Sequence, residues 1–203
     1  MQTIDVQNYH IYITDKQDVD LQTVLGTYYK CEQVHSDAVY VWEDGEMFVQ
    51  QKGDAIISNQ LHTKIAVRVA DCSPIVLMGV SYFAIVHAGW RGLQSGIIDK
   101  TIKLLYAKGE KKLDVFVGPN IKSCCYEVGP EFKDYFDEKY FVLKGKKLYL
   151  DMDAIILDTL MDNGVDKKNI IFDSHCTCCS SKHFSYRGGD RDQRIMIAVE
   201  KVF

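Results

Sequence analysis

The residues best equipped for chemistry stand at the margins of one apolar stretch, "VRVADCSPIVLMGVSYFAIVHAGWRG", residues 67–92. Its interior reads as core, yet Asp71, Cys72, His87 and Arg91 mark its edges. Cys72 ends one strand-like run and His87 ends another 15 residues later. Neighbouring strands with a short turn between them would set a thiol beside an imidazole. The "AGWRG" that follows His87 brings glycines that permit close backbone approach, and a helix predicted from Leu93 offers free N–H groups to an anion. Arg91 adds a permanent cation whose fork suits phosphate or carboxylate. Singly, Cys72 reads as a small buried hydrophobe and His87 as a satisfied core histidine. Together, with each polar group at a strand end, they read as a site.

Three chemistries would use it. Cys72 and His87 could act as nucleophile and base, as in thiol hydrolases. They could instead be metal ligands, with His35 of "EQVHS", 37 residues before Cys72, as the third. Zinc held by three imidazole and thiolate ligands keeps a fourth position open for water or substrate. Copper oxidation chemistry needs more clustered histidines than His10, His35, His62, His87, His175 and His183 supply, and no His-x-His pair occurs. That reading is set aside.

A second concentration of donors is "HCTCCSSKH", residues 175–183, with three cysteines and two histidines. On spacing it is a candidate structural zinc site, together with Cys124 and Cys125. Cys176-x-Cys178-Cys179 departs from the usual paired spacing, so the favoured reading has Cys176 packed near the active face and the others as free thiols. His62 reads as a solvated residue at a strand start. Trp90 either packs over the sheet edge or walls a pocket, and Arg187 and Arg194 either bind phosphate or pair with Asp190 and Asp192.

The elements that must carry these groups alternate between strand and helix. Strands are predicted at 8–14, as a pair within 31–45 ending at "EDG", and at 53–59 and 63–72. "PIVLMGV" and "YFAIVHA" are continuous apolar runs suited to a sheet covered on both faces. The segment 92–109 has apolar residues at helical spacing and a glycine stop at Gly109. A short helix or loop is expected in "DKQDVDLQTVLGTYY", further helices in "EFKDYFDEKY" and at 151–165 with Asp151 as N-cap, and strands in "LDVFVGPNI", "NIIFDSH" and "RIMIAVEKV". This implies α/β layers, helices around a mixed sheet, with residues 1–203 forming a single domain.

Composition narrows the function classes. The 203 residues are 47% hydrophobic and 26% charged, with a net charge of −4. A pI near 5.8 and scattered basic residues give no nucleic-acid footprint. Asp71 and Ser73 interrupt the longest apolar run before it could span a membrane, and the first residues lack a signal-peptide pattern. The expectation is a cytoplasmic protein whose seven cysteines are thiols or ligands. Its oligomeric state is left open.

In order along the chain, "EQVHS", "ADCSPI", "VHAGWRG", "VGPNIKSCCYEVG", the "CT" at 176–177 and "FSYRGGD" resemble the motifs of the purine nucleoside phosphorylase family with laccase domains, formerly described as polyphenol oxidases. The resemblance covers roughly residues 31–203. It implies an α/β fold related to cysteine-dependent deamidase toxins, and a zinc ion on His35, Cys72 and His87. It also implies phosphorolysis of adenosine, inosine, guanosine and methylthioadenosine to base and ribose 1-phosphate, with adenosine deamination as a second reaction. Cys72, His87 and Arg91 would then be catalytic, and Arg91 and Arg187 would bind substrate. The chain departs from the pattern at Ser36, at Gly188 and near its N-terminus. Those departures keep two alternatives open, a thiol hydrolase or deamidase using Cys72 and His87, and a nucleoside-binding module without turnover.

Overall fold

The computed structural model describes residues 1–18 and 20–203. In chain order the elements are β1 (Gln2–Val6), β2 (Tyr9–Ile13), α1 (Leu21–Leu25), β3 (Tyr28–Tyr29), β4 (Val39–Trp42), β5 (Ala55–Ser58), β6 (Lys64–Val69), β7 (Ser73–Met78) and β8 (Phe83–Ala88). There follow α2 (Trp90–Gln94), α3 (Ile97–Ala107), β9 (Asp114–Val117), β10 (Glu127–Val128), β11 (Phe141–Lys144), β12 (Lys147–Leu150), α4 (Met152–Asp162), β13 (Ile170–Phe172) and β14 (Ile195–Lys201). Val19, within the stretch expected to form a short helix or loop, lies outside the described residues; α1 forms just after it.

The fold is mixed α/β, as expected, but its strands divide among three sheets. A five-stranded sheet runs β1-β2-β14-β6-β3, a six-stranded sheet β13-β9-β7-β8-β5-β4, and a small one β10-β12-β11. The two large sheets face each other. Ile11, Ile65, Val67 and Val199 of the first pack with Val76, Phe83, Ile85 and Phe116 of the second. On the far side of the six-stranded sheet, Ile75, Leu77, Ala84 and Val86 meet Ile98, Ile102 and Leu105 of α3 and Ile156 and Leu160 of α4. Alternate residues of β7 and β8 therefore enter different cores, which is why both read as unbroken apolar runs. Each buried isoleucine or phenylalanine contributes about 1.5–3 kcal/mol, so this hairpin is a rigid platform.

Four local expectations change. The pair expected within 31–45 is one strand, β4, because the N–H groups of Val34, His35 and Ser36 turn to the Asp54 carboxylate instead of a neighbouring strand. The helix expected over 92–109 is two, α2 and α3, parted at Gly96, whose φ of 80° is left-handed. Gly109 ends α3 at φ 97°, as its position suggests. "EFKDYFDEKY" forms two 3₁₀ turns, Pro130–Asp134 and Glu138–Tyr140, separated by the extended backbone of Asp137. Cys72 does not end the strand at 63–72; it sits in the bend before β7. Asp151 caps α4, accepting from the Ala154 N–H at 3.1 Å. Among the described residues, no helix is long and apolar enough to cross a membrane.

Candidate metal centre

The β7–β8 hairpin places the start of one strand beside the end of the other. Pro74 pairs with His87 and Ser73 with Ala88. Cys72, one residue before β7, is thereby carried to the level of His87. Residues 83, 85 and 87 share a strand face, so His87 follows Phe83 and Ile85 into the space between the large sheets, where only 3% of it is exposed. The pairing anticipated for Cys72 and His87 is present, by antiparallel register.

His35 arrives from the loop before β4, and one buried carboxylate holds that loop. Asp54, 1% exposed and just ahead of β5, accepts from the backbone N–H groups of His35 at 3.0 Å and Ser36 at 2.6 Å, and from the Ser36 hydroxyl at 2.8 Å. The same carboxylate lies 2.8 Å from Nδ1 of His87. One group thus positions two histidines from different elements. His35 has φ 59° and Asp71, beside Cys72, has φ 91°, left-handed values unusual for residues with side chains. Such strain persists where the surroundings over-determine it. Asp71 is fixed at its side chain by Thr177 Oγ1 and the Arg187 N–H, both at 2.7 Å.

The donor atoms of His35, Cys72 and His87 all lie within 4.8 Å of one another. Cys72 Sγ is 3.9 Å from His35 Nε2, and the two imidazole centroids are 4.8 Å apart. A tetrahedral zinc with ordinary bond lengths sets sulfur and nitrogen ligands about 3.5 Å apart, so the observed spacing fits such an ion. Asp54 takes Nδ1 of His87 and leaves Nε2 to ligate, the carboxylate–histidine arrangement of metal sites. Gly89 supplies the room. A Cβ there would stand 3.0 Å from Cys72 Sγ and 3.2 Å from His35 Cδ2.

Without an ion, the charges lean toward a thiolate–imidazolium pair. Burial opposes the Cys72 thiolate, but contacts with His35 and His87 outweigh it and bring the thiol down to about 6. Burial likewise opposes the His87 cation, and Asp54 and Cys72 overcome it, raising the imidazole to about 9. Asp54 is held at about 2, against its own burial, by His87 and Ser36. The site favours a deprotonated sulfur, the form that binds metal.

The cluster opens into a cleft of about 700 Å³. Lys30, Arg68, Arg91, Arg187, Arg191 and Arg194 line it, against the carboxylates of Glu32, Asp71 and Asp192. Asp71 is already engaged, so the cleft is a cationic basin suited to an anion. Arg91 stacks on Trp90, Cζ 4.3 Å from the ring centroid, and Trp90 in turn packs on Phe132 at 4.9 Å. Trp90 therefore packs and walls the cleft at once. Arg187 reaches the cleft, donates to the Glu127 carbonyl at 2.6 Å and lies over Tyr126. Neither Arg187 nor Arg194 forms the ion pair considered for it among the described residues: Asp190 takes Lys16 at 3.0 Å, Asp192 lines the cleft, and Arg194 donates to the carbonyls of Arg191 and Gln193. His62, at φ 53°, adjoins the start of β6 and lies outside the cleft.

Two residues of the site lack motif support in the sequence. Asp54 is the more important, and its only sign is an acid placed directly before the apolar run "AIIS". Arg68 is the other, a charged, exposed residue on the same face of β6 as Lys64 and Ala66.

Comparison with known proteins gives the family and the fold. Residues 14–199 match the family model described as multi-copper polyphenol oxidoreductase laccase. A protein of Aquifex aeolicus (strain VF5) named purine nucleoside phosphorylase is 42% identical over 152 residues, covering 75% of this chain and 72% of that one. Adenosine deaminase RL5, from an unknown prokaryotic organism, is 30% identical over 143 residues, covering 64% of this chain and 55% of that one. The crystal structure of Neisseria meningitidis protein NMB0706 superimposes with a TM-score of 0.81, covering 100% of this chain and 99% of that one, at 22% identity. That likeness shows the fold.

Proposed function

The chain belongs to the multi-copper polyphenol oxidoreductase laccase family, and on that basis we propose that it is a zinc-dependent purine nucleoside phosphorylase with adenosine deamination as a second activity. The observation that carries the reading is the convergence of His35, Cys72 and His87 at the floor of a cationic cleft. Relatives named purine nucleoside phosphorylase and adenosine deaminase support the substrate class. Two imidazoles and one thiolate suit zinc, and His10, His62, His175 and His183 do not join the cluster. When bound, zinc supplies a Lewis acid for an oxygen of substrate or water.

The protein's own groups do the rest. Arg91 and the neighbouring arginines hold phosphate by charge-assisted hydrogen bonds and offset its repulsion from the Cys72 thiolate. Trp90 and Tyr126 give the flat purine an apolar wall. Asp54 keeps His87 in one tautomer and one orientation. In phosphorolysis a phosphate oxygen bonds to the ribose anomeric carbon as the bond to the purine nitrogen breaks, so holding the anion in place lowers the barrier chiefly by orientation.

A second reading rests on the same atoms. A thiol beside an imidazole whose far nitrogen is held by a carboxylate is also the arrangement of a cysteine hydrolase. His35 separates the two. In the zinc enzyme, His35→Ala, Cys72→Ala and His87→Ala each lose zinc from this site and nucleoside cleavage together, whereas His62→Ala loses neither. Zinc analysis, a nucleoside-plus-phosphate assay and thermal melting of these variants decide it. A folded, fully active His35→Ala protein would overturn the three-ligand zinc reading.

A further inference from the structure

The sequence raises four cysteines that the proposed activity does not use, and the fold brings them together. Cys124 and Cys125 lie in the turn between β9 and β10, and Cys176 and Cys179 in the turn after β13. Their sulfur atoms all stand within 4.8 Å of one another. Cys125 and Cys179 are 3.1 Å apart, and Cys124 and Cys179 are 3.6 Å apart across 55 residues of chain. Cys176 is buried and the other cysteines of the stretch are free thiols, as the favoured reading has them, but the fold gathers four cysteines into a single cluster. The spacing that matters is Cys176-x₂-Cys179, a common ligand interval hidden by Cys178 between them. Cys178 is not among the gathered sulfurs, although it packs in the same apolar group as Cys125 and Cys176. The two histidines of the same stretch also stay out, His175 held by Asp173 at 2.7 Å and His183 buried.

We propose that Cys124, Cys125, Cys176 and Cys179 form a second metal site, a closed tetrathiolate that binds zinc for structural purposes. A tetrahedral zinc about 2.3 Å from each sulfur sets the sulfurs about 3.8 Å apart, within the range the cluster already spans. All four positions are taken by protein, so no place remains for substrate or water. The backbone is arranged around the sulfurs as well. The Lys122 N–H donates to Cys176 Sγ at 3.5 Å. Cys125 N–H closes one turn onto the Lys122 carbonyl at 2.9 Å, and Ser180 N–H closes the other onto the Cys176 carbonyl at 3.0 Å. Two short turns, each offering two sulfurs, meet face to face.

A single disulfide is the competing explanation for the short Cys125–Cys179 distance. It would join two sulfurs and leave Cys124 and Cys176 without a reason to converge, whereas one ion accounts for all four. The site also has something to hold. Asn120 and Cys176 pair as an isolated bridge, and Thr177, next to Cys176, bonds Asp71 at 2.7 Å beside Cys72. Tyr126, next to Cys125, lines the cleft. An ion on the four cysteines would thus brace one wall of the cleft from outside it.

The test uses the full chain, purified with a thiol reductant and no chelator. The expected zinc content is about two per chain in the wild type, falling to about one in His35→Ala and about one in Cys124→Ser/Cys179→Ser, with Cys178→Ser unchanged. Cobalt(II) titrated into the metal-stripped wild type should show, for one equivalent, the intense sulfur-to-cobalt charge transfer of a tetrathiolate. His35→Ala should keep that band, so the outcome is independent of whether the chain cleaves nucleosides. The cobalt measurement on wild type also stands if the double variant does not fold. Reduced wild-type protein that holds no zinc beyond the His35 site and gives no tetrathiolate band overturns the proposal. So does a Cys125–Cys179 disulfide found by mass spectrometry in that same reduced sample.

Discussion

The molecule carries two clusters of soft donors built on opposite plans. His35, Cys72 and His87 come from a strained loop, a bend and a strand end, and they face a cleft of about 700 Å³. The four cysteines come from two turns that face each other, and together they would fill all four positions of a tetrahedral ion. Mixed nitrogen and sulfur ligands with an open side suit chemistry, and four sulfurs suit structure. The difference extends to what surrounds each cluster. A buried carboxylate, Asp54, organises the open site, whereas the two facing turns, with the Lys122 N–H directed at Cys176, organise the closed one. An open site needs its ligands oriented from outside because it lacks a full set to orient one another.

Asp54 is where the two plans separate most. In Asp54→Asn, the His87 partner loses its charge, and the amide cannot accept from all the N–H groups that now converge there. Metal affinity at the three-donor site should fall by about 10–100-fold, the usual effect of removing an outer partner. Breaking a buried charged pair also costs about 3–5 kcal/mol of stability. Zinc at the four cysteines should be unaffected. Equilibrium metal binding with a competing chelator, read alongside thermal melting, measures both. Unchanged affinity at the three-donor site would mean that Asp54 serves the loop alone.

A smaller effect is expected at Gly89, and it separates room from backbone freedom. Gly89 has φ −79°, which any residue adopts, so its hydrogen is required by the Cys72 sulfur at 3.0 Å from a built Cβ. Gly96 has φ 80° and no such crowding near the metal ligands. Gly89→Ala should displace Cys72 or His35 and weaken metal binding about tenfold, at an overpacking cost of about 1–3 kcal/mol. Gly96→Ala should cost about 1–2 kcal/mol in melting and leave metal affinity alone. Equal metal affinities in the two variants would refute the steric role assigned to Gly89.

What the sequence disclosed follows from how local each signal was. Cys72, His87 and Arg91 were legible because each sits at the edge of an apolar run, where a polar residue needs a reason. The α/β class was legible from the two continuous runs that became β7 and β8. Asp54 was not, since a single acid before a strand is an ordinary sight and its importance comes from three N–H groups and a histidine gathered by the fold. The division into facing sheets was also hidden, because alternate burial on two cores leaves the same apolar text as one core. The four-cysteine cluster was a candidate in the sequence but not the favoured reading, because its convergence needed both turns at once. Its pairs are 52 residues apart between Cys124 and Cys176, and the intervening Cys178 disguised the Cys176–Cys179 interval.

The smallest effect belongs to Arg91, and it tests what the open site is open toward. Arg91 lies on the cleft wall, stacked on Trp90, with no carboxylate partner among the described residues. A guanidinium held flat in this way presents its outer N–H groups in a fixed direction, which suits two oxygens of one phosphate. Lysine keeps the charge but not the fork or the stacking, so Arg91→Lys should cost about 1 kcal/mol of phosphate binding, roughly a fivefold rise in the KM for phosphate. The KM for nucleoside should move little, and both metal sites should remain full. The other cations of the cleft keep the basin positive, which is why the loss is modest. Steady-state kinetics with phosphate and nucleoside varied separately give the answer. If phosphate KM is unchanged and nucleoside KM rises, Arg91 acts by holding Trp90 against the purine, and the anion belongs on the opposite wall with Arg187 or Arg194.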